Sequence, residues 1–173
     1  TEDLGHRSRR GMCSRREQID AARGRIRLIE RKFGVLAQVL DIFPSGLIHT
    51  GGDECPVDHW KKCPICQARM KAEALKDERE LQTSFTRRIE KFLNTRGRRM
   101  ALWYETFEGV PPGATIMSWR DMDGGLASAK AGYDVVMAPA SHTYFDYPYT
   151  TTPLDKVYSF EPVPPGLTPE QAH

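Results

Sequence analysis

The sequence contains no apolar run long enough to cross a bilayer, which takes about 20 residues, and no signal-peptide pattern. Within these residues that excludes a transmembrane helix. Cysteine is scarce, with four in 173 residues, too few for a disulfide framework in a chain of this size. Net charge is low at +2, so no single-sign field governs the whole chain. Length sets a further bound. At 173 residues the chain can bury one ordinary core. It falls short of a complete (β/α)₈ barrel, which typically needs about 250 residues.

The low net charge hides an uneven distribution. Residues 1–34 hold ten Lys/Arg against five Asp/Glu, and the remainder holds fifteen against eighteen. This head carries the doublets Arg9-Arg10 and Arg15-Arg16 and has too few apolar residues to bury much surface. It reads as a solvated helix over Arg16 to Phe33, as a stretch foreign to the fold, or as a nucleic-acid-binding arm. Domain organisation is therefore expected as a basic head over 1–34 and a folded body over 35–173.

In the body, strand and helix signals alternate. Val35, Leu36, Val39, Leu40 and Phe43 are spaced as one helix face that Pro44 stops. Leu47-Ile48-His49 then reads as a short buried strand halted by Gly51-Gly52. A loop and helix are expected over Val57 to Ala74. A stronger helix starts at Asp77, capped with Glu80, carries Leu81, Phe85, Ile89, Phe92 and Leu93 as a buried stripe, and ends at Gly97. Strands follow at Arg99–Trp103, Thr115–Trp119 and Asp134–Ala138. Between the last two lies a small helix from Gly124 to Gly132, with Leu126, Ala127 and Ala131 expected inside. Leu154 to Glu161 reads as extended, and Thr168-Pro169-Glu170 as a helix start. Alternation of this kind predicts a parallel α/β sheet with right-handed crossovers.

The candidate chemistry sits at the strand ends. Asp53 and Glu54 are adjacent carboxylates directly after the first strand, and pairs of this kind are costly to bury without partners. Trp103, Trp119, Tyr144 and Asp146 fall at or beyond the ends of later strands. The carboxyl ends of parallel strands share one rim, so residues spread over nearly a hundred positions converge there. A separate cluster, Cys55, His59, Cys63 and Cys66, contains a Cys-Pro-Ile-Cys spacing. It reads as a zinc site, as free thiols at a helix start, or as a local redox-active pair.

His-x-Gly-Gly-Asp-Glu over His49–Glu54, followed by Trp60, Trp103 and Trp119, resembles the family 20 glycoside hydrolases, chiefly β-N-acetylhexosaminidases. The likeness runs from about Val39 to the C-terminus. It implies a partial (β/α)₈ TIM barrel, about strands four to seven, whose open edges would allow self-association. It also implies hydrolysis of terminal β-linked N-acetylglucosamine or N-acetylgalactosamine with retention, by substrate-assisted catalysis. By resemblance, Glu54 is the general acid and base and Asp53 orients the 2-acetamido group. Trp103 and Trp119 wall the acetamido pocket, Tyr144 bonds the acetamido oxygen, Asp146 bonds a sugar hydroxyl, and His49 is a supporting partner. Glu54 would need burial or a like charge to hold its proton.

The implied partner is an N-acetylhexosamine-containing oligosaccharide or glycoconjugate, with no cofactor, metal, nucleic acid or membrane. Tyr104 stands where the family usually has a second acidic residue, while Glu105 is kept. A third pocket tryptophan would lie beyond His173, and the isolated chain is expected to be impaired. Two other readings are open: a non-catalytic carbohydrate-binding remnant, and a small zinc-stabilised nucleic-acid-binding protein using the arginine head and the cysteine cluster.

Overall fold

The computed structural model describes residues 33–172, which fall into two units divided between Pro44 and Ser45. The arginine doublets of the head lie outside the described residues. In the first unit a helix, α1, covers 33–42 and stops just before Pro44, as the spacing predicts.

The second unit is built on four parallel strands: β1 (Leu47–His49), β2 (Arg99–Trp103), β3 (Thr115–Ser118) and β4 (Asp134–Met137). Their spatial order is their chain order. Sequential winding without reversal is that of a (β/α) barrel wall, whereas a doubly wound sheet reverses at a switch point. The strands are short because they are framed by turn residues. They interlock through pairs such as His49 with Ala101, Trp103 with Met117 and Ser118 with Met137.

Burial concentrates on the two central strands. Met100, Ala101, Leu102 and Ile116 are nearly or fully inaccessible, so successive residues of β2 are covered on both faces, as in parallel sheets flanked by helices. Burying a side chain such as Leu102 or Ile116 contributes about 1.5–3 kcal/mol. β1 and β4 are the edges among the described residues and are only partly buried.

The predicted segment 57–74 divides into α2 (Asp58–Lys62) and α3 (Pro64–Ala72), because Pro64 cannot continue the ladder of α2. The next helix, α4 (Glu78–Asn94), is the crossover from β1 to β2. Asp77 caps it by accepting the Glu80 N–H at 2.8 Å, and the Glu80 carboxylate reaches back to the Lys76 N–H at 2.7 Å. It ends in a Schellman arrangement. Arg98 N–H donates to the Leu93 carbonyl and Gly97 N–H to that of Asn94, with Gly97 at φ 67°.

Of the stripe expected on α4, Leu93 is fully buried and the rest of the covered face is polar. Gln82, Thr86, Glu90 and Leu93 are covered, whereas Phe85 is 46 % exposed and Leu81, Ile89 and Phe92 are half-buried. The polar residues of this face are satisfied, Gln82 by the Gly52 carbonyl of the rim loop and the others within the helix. Thr86 bonds the Gln82 carbonyl at 3.1 Å, and the Asn94 amide donates to Glu90.

A 3₁₀ turn (Tyr104–Thr106) and a loop join β2 to β3, and α5 (Asp123–Lys130) joins β3 to β4. The inner face of α5 is Gly124, Gly125, Ser128 and Ala129, while Ala127 and Ala131 are exposed and Leu126 is half-buried. The expected Leu126, Ala127 and Ala131 face is therefore turned aside. The cause is proximity: a Cβ at Gly125 would overlap the Met137 thioether, and one at Gly124 would come within 2.5 Å of the Tyr104 ring. Only residues without bulk fit there. After β4 come α6 (Ala140–Thr143) and α7 (Leu154–Tyr158). The helix α7 replaces the extended segment expected over Leu154 to Glu161. Pro153 sits at its N-cap with φ near the helical value, and Asp155 lies in its first turn, favourable to the helix dipole.

Candidate active site

The site begins where β1 ends. Thr50 continues the pairing, its N–H donating to the Ala101 carbonyl at 2.9 Å, and Trp103 N–H donates to the Gly51 carbonyl at 3.1 Å. The chain then turns through Gly51 at φ 74°, Gly52 at φ 104° and Glu54 at φ 42°. Left-handed geometry at a non-glycine residue is uncommon and stores strain of about 1–2 kcal/mol. Here it falls on the second acid. At Gly52 the φ is one that side chains rarely adopt, and a Cβ would lie 3.0 Å from the Thr106 Oγ1, close enough that the threonine would have to shift. The loop is held from α4 as well, by the Gln82 amide donating to the Gly52 carbonyl at 3.0 Å.

Aromatic rings run along the same rim. His49 meets Trp103 edge-on at 4.8 Å, and Trp103 meets Trp119 edge-on at 6.5 Å. Trp119 stacks on Tyr144 at 6.3 Å and 14°, and Tyr144 stacks on Tyr147 at 6.2 Å. Four connected segments thus deliver one continuous aromatic wall. Tyr144 reaches it because Ala138 N–H bonds the Ser118 carbonyl and Ala140 N–H that of Trp119, which seats α6 on the end of β3.

Electrostatics tie the acids to this wall. The Tyr144 hydroxyl is held above the ordinary value of 10.0, first by burial, then by Asp146, with smaller contributions from Tyr147, Asp53 and Glu105. His49 is pulled below 6.5 by loss of water around its ring, and the Asp53 charge partly opposes this. Its Nδ1 accepts the Gly51 N–H at 3.2 Å, which puts the proton of the neutral ring on Nε2.

Two residues outside the expected set join the site. The Trp119 Nε1–H donates to Glu105 Oε1 at 2.8 Å, and Arg120 Nε lies 3.5 Å from the same oxygen. The Arg120 guanidinium covers the Trp119 ring at 4.8 Å and reaches Glu54 Oε1 at 3.8 Å. Glu105 Oε2 is buried without a hydrogen-bond partner. Trp119-Arg120 following a strand was the signal for Arg120, but a lone arginine carries no direction in sequence.

An open cleft of about 380 Å³ is lined by Glu54, Cys55, Arg79, Glu105 and Arg120. A larger cavity of about 690 Å³ between α4 and the 3₁₀ turn shares Arg79 and Glu105 but touches neither acid. The smaller cleft is the relevant one because Glu54 lines it together with Glu105 and Arg120, the two residues that meet Trp119 of the ring wall. The structure brings Asp53, His49, Trp103, Trp119, Tyr144 and Asp146 together by contact or by charge, and Glu54 joins through Arg120. Burial of Glu54 is not met: its side chain is 67 % exposed and its ionic neighbour is a cation. A turn with positive φ aims this side chain outward into the cleft. Tyr104 packs on Gly124, where the close approach of α5 leaves room for a flat ring.

Among the described residues no three His, Cys, Asp or Glu side chains converge as a metal site would require. Cys55, His59, Cys63 and Cys66 therefore do not form the tetrahedral set that the zinc reading needs. No described helix is long and apolar enough to cross a membrane.

Residues 16–172 match the glycosyl hydrolase family 20 catalytic domain, a span that begins inside the arginine-rich head. A β-hexosaminidase of Porphyromonas gingivalis is 43 % identical over 146 residues, covering 77 % of this chain and 19 % of the relative. One of Akkermansia muciniphila is 34 % identical over 142 residues, covering 74 % of this chain and 29 % of the relative. The chain thus spans under a third of the length of these relatives. A solved β-N-acetylhexosaminidase superposes with a TM-score of 0.75 at 33 % identity, covering 84 % of this chain and 34 % of that one. The exo-β-N-acetylglucosaminidase of Vibrio harveyi, solved with N-acetylglucosamine, gives 0.69 at 33 %, covering 78 % and 23 %. The four parallel strands are accordingly part of a (β/α)₈ barrel, and the chain belongs to glycosyl hydrolase family 20.

Proposed function

We propose that this chain carries the acid pair and acetamido pocket of a β-N-acetylhexosaminidase, acting on terminal β-linked N-acetylglucosamine or N-acetylgalactosamine. The supporting observation is the aromatic wall from His49 through Trp103 and Trp119 to Tyr144, which closes on the loop bearing Asp53 and Glu54. Flat apolar faces exclude water from an acetamido methyl and hold its carbonyl in attacking position. Tyr144 keeps its proton at neutral pH and so donates to the acetamido oxygen.

In this reading Asp53 accepts the acetamido N–H, and the acetamido oxygen attacks the anomeric carbon as Glu54 protonates the departing glycosidic oxygen. An oxazolinium forms. Water then opens it, giving a proton to Glu54, and the configuration is retained. Asp146 bonds a sugar hydroxyl, and His49 braces Trp103 and the Gly51 turn. The ligand itself supplies the desolvation that Glu54 lacks in the open cleft. The Vibrio harveyi relative, solved with N-acetylglucosamine, supports the sugar class.

The test compares an aryl β-N-acetylglucosaminide with the matching β-glucoside, which lacks the acetamido group. Hydrolysis of the first alone is expected; equal hydrolysis of both would remove the substrate-assisted step. Exposure of Glu54 favours a second reading, a sugar-binding module without turnover. It is identified by N-acetylglucosamine binding, seen in a titration calorimeter, without release of the aryl group.

A further inference from the structure

The acid and the acetamido pocket meet at one residue that the reaction leaves without a role, Arg120. It follows Trp119 directly at the end of β3, so the strand that delivers the pocket ring also delivers the guanidinium. Two of its nitrogens face two carboxylates: Nη2 lies 3.8 Å from Glu54 Oε1, and Nε lies 3.5 Å from Glu105 Oε1. Glu105 Oε1 also accepts the Trp119 Nε1–H at 2.8 Å, and the guanidinium covers the Trp119 ring at 4.8 Å. Among the described residues, neither Glu54 nor Glu105 has another ion-pair partner. An arginine suits this arrangement because its donors are fixed relative to one another, which a single ammonium cannot copy. Contact therefore runs from the acid through Arg120 and Glu105 to the indole of the pocket wall. Both ion pairs are longer than a hydrogen bond, so neither clamps its carboxylate, and a change of charge at one end alters how the cation is shared. Glu105 is the buried end, 16 % exposed against 67 % for Glu54, so the change is felt where water screens least.

We infer that Arg120 is a positioning residue that couples the acid to the acetamido pocket, acting through Glu54 on one side and through Glu105 and Trp119 on the other. The roles of Glu54 and Trp119 rest on the glycosidase reading; the contacts do not. As Glu54 passes its proton to the glycosidic oxygen and the bond to the anomeric carbon breaks, a negative charge is left on the carboxylate beside Arg120. The guanidinium is drawn to that charge and stabilises it, and its hold on Glu105 Oε1 weakens. Glu105 then answers more fully to the indole N–H, which keeps Trp119 against the acetamido group while the acetamido oxygen attacks. In the opposite direction, a filled pocket fixes Trp119 and Glu105, and through them the cation that aims Glu54.

The test reads the coupling twice, once without turnover. Indole N–H spectra of the 173-residue chain resolve its three tryptophans by NMR, and Trp119→Phe assigns the Trp119 signal. Glu54→Gln is expected to move that signal when Arg120 is present and to leave it in place in Arg120→Met, where a flexible apolar side chain still covers the ring. Arg120→Gln is the second neutral variant where the methionine fails to fold. A Trp119 signal that ignores Glu54→Gln, or that moves as far without Arg120, overturns the inference. In hydrolysis, Arg120→Met lowers kcat on a sugar aglycone several-fold with KM little changed and spares the burst from a dinitrophenyl aglycone. Arg120→Lys, which keeps the charge without the fork, recovers part of the loss. Equal slowing of both aglycones makes Arg120 a prop for the Trp119 ring and overturns the coupling. A chain that hydrolyses neither substrate removes the glycosidase reading, and the Trp119 signal still decides the coupling.

Discussion

The Gln82 side chain of α4 donates to the Gly52 carbonyl at 3.0 Å, one residue before the acid pair. Gln82 is 6 % exposed and its own oxygen accepts from Arg79 at 3.2 Å, so the amide is fixed at both ends. A helix of the barrel wall thus holds the turn at the rim.

Replacing Gln82 with Ala leaves a loop carbonyl without its donor, a loss of about 1–3 kcal/mol. Urea unfolding should show that loss. Thr86→Ala tests the specificity, because Thr86 lies on the same buried face but bonds only the Gln82 carbonyl of its own helix. Both variants lose stability, while Gln82→Ala alone slows hydrolysis beyond what unfolding explains. Equal slowing by both would mean that α4 supports the fold and not the loop.

Gly52→Ala brings two penalties: a backbone at φ 104° and a Cβ 3.0 Å from Thr106 Oγ1. Together they are expected to reach about 1–3 kcal/mol. Thr106→Ala relieves only the contact. The double variant Gly52→Ala with Thr106→Ala should therefore recover part of the loss, and a denaturant double-mutant cycle measures how much. Zero coupling would assign the whole effect to the backbone.

His49 gives a pH dependence with a defined sign. Its folded-state pKa lies below 6.5, so on acidification the unfolded chain takes up this proton first. The contribution is complete above the unfolded value and is lost as pH falls from there through the folded value. His49→Asn preserves an acceptor for the Gly51 N–H and should flatten the stability profile below neutrality. Asp53→Asn removes the charge that raises the His49 value, so an NMR titration should find it lower still.

Much of this architecture was legible in the sequence because strand ends are marked by residue chemistry. Gly51-Gly52 halts β1, Trp103 closes β2, and the Asp77–Glu80 cap starts α4. These are local signals, and the local prediction holds. What sequence could not order was which face of a helix goes inward. On α4 the periodic stripe of Leu81, Phe85, Ile89, Phe92 and Leu93 suggested an apolar contact, yet of these only Leu93 is fully covered, beside Gln82, Thr86 and Glu90. Gln82 finds its partner at Gly52, thirty residues earlier, which periodicity does not encode, while Thr86 and Glu90 are satisfied within the helix by Gln82 and Asn94. On α5 the decisive quantity was distance to Tyr104 and Met137, and glycine there reads in sequence as a weak helix former. Arg120 is similar. Its meaning comes from reaching both Glu54 and Glu105, residues 66 and 15 positions earlier.

The sharpest prediction concerns Glu54 and the leaving group. General acid and base help amounts to about 10²–10⁴-fold, or about 3–5 kcal/mol of barrier. Glu54→Gln keeps the size of the side chain and an oxygen for Arg120, which lies 3.8 Å from the present carboxylate. It removes the transferable proton. On a sugar or alkyl aglycone, which cannot depart as an anion, turnover should fall by that whole factor. A dinitrophenyl aglycone departs without a proton, so bond cleavage should be far less affected, and the aryl burst shows this directly. The opening of the oxazolinium still needs a base, so the later phase slows and separates from the burst. If instead both aglycones slow equally in the first phase, Glu54 is not the proton donor, and the cleft's other carboxylate, Glu105, is the one to replace next.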